Sequence, residues 1–438
     1  MDLIKLVIDI KGLLQSGRNF YVRFHPEVLD FTKPDLKAEI QIHSARNFVS
    51  IPINKDNSLF QIISLLKDSI FGQDIFNVVW NAKSFFSYVR HITRADFEPE
   101  CQVIDLKLVE GYLGVRGKAP DNYGDAASRL RTVFSHPDWS DIKTIYQKIH
   151  TPLITRVIPA IETNGLLDRK QKAVVYPYYE IEGQVNGRMK CLEAYEKHFN
   201  PHGLSEEVKS NLAPRQMGDH FIVLDFHHYE VNVLQWLCKD EGIGKIIDSG
   251  EDFYRATFKL LAGGDCDSEK KRDLVKKMFL PVIYGMSVDS LAKELEIPFQ
   301  TADKIVQRER KLFPRSFAWI EEFQGQSGEV RRDHFGRRRE FQDRSYLIPI
   351  RNFAVQSPAA LVCLEKLIQL HDALRGYGKI ICHVHDGYVI CAAKSVLGTV
   401  CALARQALEL ESELCPGLKL RCSCKVGTTL NEMKEHTL

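Results

Sequence analysis

Residues 223–234 read VLDFHHYEVNVL, and the rest of the chain is organised around this stretch. Ile222, Val223 and Leu224 are apolar and β-prone, as in a buried strand. Asp225 ends that run, and Glu230 to Leu237 then takes up helical spacing. A carboxylate between a strand and a helix suits two roles. It caps the helix, or it holds a divalent cation at the mouth of a sheet. The junction alone leaves both open.

At 438 residues the chain has room for about two to four domains, and its 44% hydrophobic and 26% charged content is that of a soluble globular protein. The net charge is only +2, so a polyanion would have to be held by local patches. Such patches exist: Lys270-Lys271-Arg272, Arg308 with Arg310, Arg331-Arg332 and Arg337-Arg338-Arg339. Basic runs are usually solvated faces, but four of them between residues 270 and 339 favour a nucleic-acid or nucleotide surface. The eleven cysteines include no CxxC pair. Cys422 and Cys424 fall on one strand face with Cys415 nearby, a zinc alternative to the default of buried thiols in a reducing compartment. No targeting signal or membrane-length apolar run is recognised, so an intracellular protein is expected, of bacterial, viral, plasmid or organellar origin. The opening MDLIKLVIDIKGLL reads as a short amphipathic helix.

Strand patterns at 20–24, 38–43, 48–53, 75–80 and 103–106, mixed with helical ones, predict a small α/β domain. Residues 116–143, rich in Gly, Asp, Ser and Pro, read as a linker. Helical periodicity from Ile145 to Ile161 stops at Asn164-Gly165, and 176–188 reads as strand with turns at Glu182-Gly183 and Asn186-Gly187.

A second carboxylate, Asp386, stands in KIICHVHDGYVICA, where two apolar strands flank His385-Asp386-Gly387. Asp-Gly by itself signals a type I′ hairpin turn. Two such carboxylates brought together would hold two divalent ions for phosphoryl transfer. The third piece is KRDLVKKMFLPVIYGMS, in which Arg272, Lys276, Leu280 and Tyr284 recur every four residues along one helix face. Cations for phosphates followed by a ring for a base suit a nucleoside triphosphate; an ordinary amphipathic helix with snorkelling Lys and Arg is the alternative.

In this order the three segments resemble the motifs of family A DNA polymerases, over roughly residue 152 to the C-terminus. LDFHHYEVNVL is similar to the first palm motif, DYSQIELRVL, RDLVKKMFLPVIYG to the fingers helix, and HVHDGYV to the last palm motif, VHDE. GEVRRDHFGRRR, NFAVQSPAA and QVNGRMK resemble three further segments. The resemblance implies an α+β chain. A ribonuclease H-like, exonuclease-type α/β domain (1–115) and the linker (116–143) come first. An antiparallel palm (144–255 and 351–438) and helical fingers (256–350) follow. It implies Asp225, Asp386 and the Phe226 carbonyl as ligands of two Mg²⁺, and Lys276 as catalytic. Arg272, Lys276, Leu280, Tyr284 and His385 would contact the dNTP, with Glu230 at the sugar-selecting position. Arg188, Asn352, Gln356, Arg337 and Arg338 would contact primer–template DNA.

Departures accompany the resemblance. Leu280 stands where the family has Phe or Tyr, and Pro281 where it has Gly, which predicts a kink before Tyr284. Gly387 replaces an acid and Asn232 an Arg. In the exonuclease-like part, His25-Pro26-Glu27 replaces Asp-x-Glu, Phe85 stands at a ligand Asp, and only Asp105 is kept; a scaffold without proofreading is expected. Only residues 169–175 separate Asp168 from Tyr176, where the family places its long helical thumb. The expectation is a compact, weakly processive DNA polymerase that would need a partner as its clamp on long templates and has no membrane association. A single-subunit RNA polymerase and a non-catalytic DNA-binding or assembly subunit are the alternatives.

Overall fold

The structure is a computed structural model and describes residues 3–16, 18–25, 38–53, 59–72, 76–93, 102–113, 118–181, 187–193, 198–341 and 347–436. The N-terminal strands form one mixed sheet. β1 (Asn19–His25), β2 (Ala38–His43) and β3 (Phe48–Ile53) run antiparallel; β4 (Phe76–Trp80) and β5 (Gln102–Asp105) continue it in parallel beyond β1. Period-two alternation divides the apolar side chains: Phe20, Val22 and Phe24 enter one core, Tyr21, Val78 and Trp80 the other. The Ala82–Thr93 helix covers the first core.

Residues 116–143 differ from the linker expected of them. They carry a helix, Tyr123–Ser135, whose Ala126, Leu130 and Val133 fill the second core. Asn122 caps it, accepting from the Asp125 amide at 3.0 Å. The polar residues that suggested a linker lie on the solvent face and at the helix ends.

Of the exonuclease-like positions, Phe85 is fully buried with its ring 5.1 Å from that of Phe71. Asp105 accepts from the amides of Asn81, Ala82 and Leu108, and burial pushes its carboxyl up to about 6. Pro26 and Glu27 lie outside the described residues, as does the Glu182-Gly183 turn.

The helical stretch before Gly165 is built of unequal turns. Trp139–Ile145 leads into wider π-type segments, Tyr146–His150 and Leu153–Val157, before Ile158–Asn164. Pro152 and Pro159 each remove an amide from the ladder, which accounts for the widening. Gly165 closes the helix at φ +64°, and a Cβ there would come within 2.7 Å of the Tyr176 ring. The chain then forms β6 (Leu166–Asp168) and β7 (Ala173–Val175), joined directly by residues 169–172. β8 (Tyr179–Glu180), β9 (Lys190–Cys191) and β10 (Leu212–Ala213) are short, and β10 extends the β6–β7 pair.

The main sheet starts at β11 (Asp219–Phe226). Helices then follow from Tyr229–Cys238 to Pro314–Gln324, so the expected palm–fingers boundary at 255/256 falls inside one of them, Phe253–Ala262. A hairpin of β12 (Val330–Arg332) and β13 (Arg338–Glu340) precedes the 27-residue helix Leu347–Ala373, which likewise spans the expected boundary at 350/351. β14 (Lys379–Val384), β15 (Gly387–Ala393), β16 (Cys422–Gly427) and β17 (Lys434–Glu435) complete the antiparallel sheet in the order β14-β15-β11-β16-β17. Contrary to the sequence reading, Leu347–Ala373 is long and apolar enough to cross a bilayer by length and composition. Most of it is buried, and the core it enters joins sheet and helices.

Glu309, in the Phe299–Leu312 helix, is fully buried, and neither carboxyl oxygen has a hydrogen-bond partner among the described residues. Burial pushes its pKa well above the ordinary carboxylate value. A carboxyl that binds its proton more tightly when folded loses stability as pH rises from its unfolded value, near 4.5, toward its folded one. Glu309→Gln should therefore stabilise the protein at neutral pH by about 1–3 kcal/mol. The gain should vanish below the unfolded value, as paired denaturation curves at the two pH values would read.

Candidate active site

Asp225 lies inside β11, the central strand, paired with Gly387 of β15 on one side and Ser423 of β16 on the other. The helix beyond begins at Tyr229, and its N-cap is His228, in the left-handed region at φ +49°. Asp225 therefore does not cap the helix, and of its two readings the sheet-mouth carboxylate remains.

β14 and β15 are joined by a two-residue turn, His385-Asp386, because Val384 pairs with Gly387. The turn thus comes one residue earlier than Asp-Gly suggested, and only His385 has positive φ (+57°), whereas a type I′ turn needs it at both central residues. A non-glycine held there is strained, as residues at functional sites often are. Since Gly387 faces Asp225, Asp386 stands beside it. A Cβ on Gly387 would approach Asp225 Oδ1 to 3.2 Å and the Leu224 carbonyl to 3.1 Å, so the missing side chain leaves room at the carboxylate.

Burial, then the neighbouring Asp225 charge, push Asp386 up to about 6. Burial likewise raises Asp225, against the opposing pull of Lys276 and Lys425. Among the described residues neither carboxylate makes an ion pair, so their mutual repulsion is only partly offset by more distant cations. The pair suits a hard divalent cation. No third His, Cys, Asp or Glu joins them among the described residues, which fits an ion that keeps water or substrate oxygens in its shell. Phe226 ends β11, its ring 5.1 Å from that of Tyr229.

The Glu269–Ile283 helix runs on through Pro281 to end at Tyr284. Tyr284 is buried, and its hydroxyl donates to Glu230 Oε1 at 2.6 Å. The other Glu230 oxygen lies 3.4 Å from an Arg188 nitrogen. Arg272 donates twice to Asp252 Oδ2, at 3.0 and 2.9 Å, and packs over the Tyr254 ring. Lys276, one turn on, is exposed and has no ion pair with a described residue. Leu280 is half-buried against the core. His385 lies 4.5 Å from His202, ring to ring, in a small recess also lined by Arg188 and Asp386.

Not every expected residue reaches a surface. Arg337 is 3% exposed; its Nε donates to Asp333 Oδ2 at 2.9 Å and another nitrogen to the Ser357 carbonyl. It ties the β12–β13 hairpin to the long helix, and its expected DNA contact is corrected to this structural one. Gly187 is glycine because a Cβ there would overlap the Arg337 guanidinium. Arg338 is half-buried, donating to the Leu113 carbonyl at 3.3 Å. Asn352 and Gln356 lie one turn apart on the long helix, with Asn352 Oδ1 buried and unpartnered. Cys415, Cys422 and Cys424 are buried, and no three candidate ligands converge there among the described residues, which removes the zinc alternative.

The model of DNA polymerase family A matches residues 164–432, more than half of the chain. The chain belongs to DNA polymerase family A. Among curated members, the thermostable DNA polymerase I of Thermus thermophilus is 29% identical over 202 residues, covering 43% of this chain and 24% of that protein. DNA polymerase I of Chloroflexus aurantiacus is 28% identical over 207 residues, covering 44% and 22%. The chain thus spans about a quarter of the length of the curated relatives it matches. The fold is similar to a solved POL domain of Pol1 from M. smegmatis, in complex with DNA primer-template and dNTP, with TM-score 0.74 and 14% identity over 97% of this chain and 98% of that one. The family A match encloses both carboxylates, the Glu269–Ile283 helix and Arg188.

Four residues of this candidate site were not singled out by sequence. Asp252 and Tyr254 hold Arg272, and His228 packs on both, its Nε2 3.5 Å from Asp252 Oδ2. Lys425 lines the cleft with Asp225 and Asp386. Asp252 had a readable signal as an N-cap, since it accepts from the Arg255 amide at 2.9 Å. Lys425 had none before its strand was placed.

Proposed function

We propose that the chain is a template-directed DNA polymerase that adds dNTPs to a primer 3′ end. The observation that carries this reading is the pairing of Asp225 with Gly387, which sets two carboxylates side by side, with Lys276 of the Glu269–Ile283 helix within electrostatic reach of Asp225. Two Mg²⁺ bound by Asp225, Asp386 and the Phe226 carbonyl would supply Lewis-acid stabilisation of the in-line displacement. Lys276 and Arg272 neutralise the triphosphate as the α-phosphorus passes to the 3′ oxygen and pyrophosphate leaves. Glu230, fixed by Tyr284, closes the space that a ribose 2′-OH would need. This braced Glu230 favours DNA over RNA synthesis, and Leu280 and His385 complete the nucleotide side. Primer extension with dNTPs or rNTPs tests the reading: dNTP-dependent products support it, rNTP products favour the RNA polymerase alternative, and none overturns it.

We infer further that the N-terminal domain, a mixed sheet with helices on both faces, no longer trims 3′ ends. Phe85 offers no ligand, and Asp105 is engaged by three amides. Metal-dependent 3′ degradation by the pure protein, lost on Glu27→Ala, would overturn this.

Grip on DNA is the third element. Between Asp168 and Ala173 the chain makes a tight turn, with Asp168 Oδ1 accepting from the Lys170 and Gln171 amides, where the family's thumb would stand. Fewer phosphate contacts mean weaker binding at moderate salt. The isolated protein should be distributive: with a heparin trap added alongside nucleotides, products stay short and shorten further as salt rises. Long products under the trap would show that the chain clamps DNA unaided. A processivity partner, if used, would dock near Arg169 to Lys172, which are exposed.

A further inference from the structure

The carboxylate-bearing hairpin lies at the edge of the main sheet. Among the described residues β14 is the outermost strand, and no described strand bonds the far side of its backbone. Two side chains do so instead. The Tyr179 hydroxyl donates to the His383 carbonyl at 2.9 Å and accepts from the His383 amide at 3.0 Å. Asn164 Nδ2 donates to the Ile380 carbonyl at 2.7 Å. His383 is two residues before His385, the strained residue of the turn.

Tyr179 is itself held from the N-terminal half. Its amide donates to Glu162 Oε1 at 2.7 Å, and its carbonyl accepts from Lys83 Nζ at 2.7 Å. Glu162 is fully buried and also receives Lys83 Nζ at 2.8 Å and Ser87 Oγ at 2.8 Å. Lys83 lies over the Tyr178 ring, 3.6 Å from its centre. Lys83 and Ser87 belong to the Ala82–Thr93 helix, which packs on the N-terminal sheet. The path Lys83–Glu162–Tyr179–His383 is thus a continuous set of short, buried hydrogen bonds. A buried ion pair this fully bonded adds little net stability but tolerates only one geometry.

We propose that Tyr179 is a positioning residue for the Asp386 turn, and that the N-terminal half braces it through Lys83 and Glu162. This assigns that half a mechanical role in the active site that needs no exonuclease chemistry. The structural claim concerns the hairpin alone, while its catalytic consequence rests on the polymerase reading above.

Hydrogen–deuterium exchange on the full chain tests it. Tyr179→Phe keeps the ring and its packing and removes only the hydroxyl. Exchange in residues 379–392 should rise about tenfold, while that in 422–427 of the same sheet stays put. Lys83→Met should loosen the same hairpin from across the molecule, and Lys83→Arg should restore it. If Lys83→Met does not accumulate, Ser87→Ala replaces it. In folded Tyr179→Phe the extension rate should fall about tenfold at fixed Mg²⁺, with KM for dNTP and Kd for primer–template unchanged. Unchanged hairpin exchange in both Tyr179→Phe and the helix variant would overturn the brace. Raised exchange together with a wild-type protein that never extends a primer would leave the brace standing and remove the polymerase reading instead.

Discussion

Asp225→Ala and Asp386→Ala are each expected to lower Mg²⁺-dependent primer extension by at least about a thousandfold. The reason is local. Among the described residues neither carboxylate is bonded to another side chain, so removing one leaves no stranded partner there, and burial with like charge already disfavours the pair. Both variants should fold normally, melt no lower than wild type, and bind primer–template within about twofold, because cations held here serve chemistry more than grip. Extension is the readout, with binding and melting as controls. Near-normal extension by either variant would sink the assignment of both as ligands.

The next largest effect is expected at Glu230. Glu230→Ala opens space where a ribose 2′-OH would lie and should raise rNTP use relative to dNTP by about a hundredfold. It also strands the buried Tyr284 hydroxyl and removes one contact of Arg188, so dNTP efficiency should fall about tenfold in the same variant. Glu230→Gln keeps size and one hydrogen bond, and should retain most sugar selection. A wild type that incorporates both sugars equally would exclude a gate at this position.

Much of this site was legible because its chemistry is tied to short-range pattern. Asp225 followed a strand signal, Asp386 stood in a hairpin, and Arg272, Lys276 and Tyr284 shared a helix face. Registry was not legible. That Asp225 faces Gly387, and that the turn is His385-Asp386, depends on how two distant strands align. Arg337 misled because a run of three arginines suggests a polyanion surface, yet Asp333 and Ser357 draw the first of them inward. The segment 116–143 misled through composition: its glycine, serine and aspartate hid the i, i+4, i+7 spacing of Ala126, Leu130 and Val133. Lys83 and Glu162 are 79 residues apart, and no local pattern could have paired them.

The Arg272–Asp252 pair has a consequence for which anions enter the fingers at all. An arriving anion does not meet a bare guanidinium; it must displace a carboxylate already in place. A chloride ion brings no more charge than that carboxylate and no second contact, whereas a polyphosphate that also engages Lys276 would compete with it. Asp252 divides its duties between its two oxygens. Oδ2 receives Arg272, and Oδ1 caps the Phe253–Ala262 helix through the Arg255 amide. The guanidinium can therefore swing to an incoming ligand without unpicking the helix start. On the polymerase reading, the resting Arg272–Asp252 pair would act as a charge filter, opened more readily by a polyvalent anion that reaches both Arg272 and Lys276 than by a monovalent one.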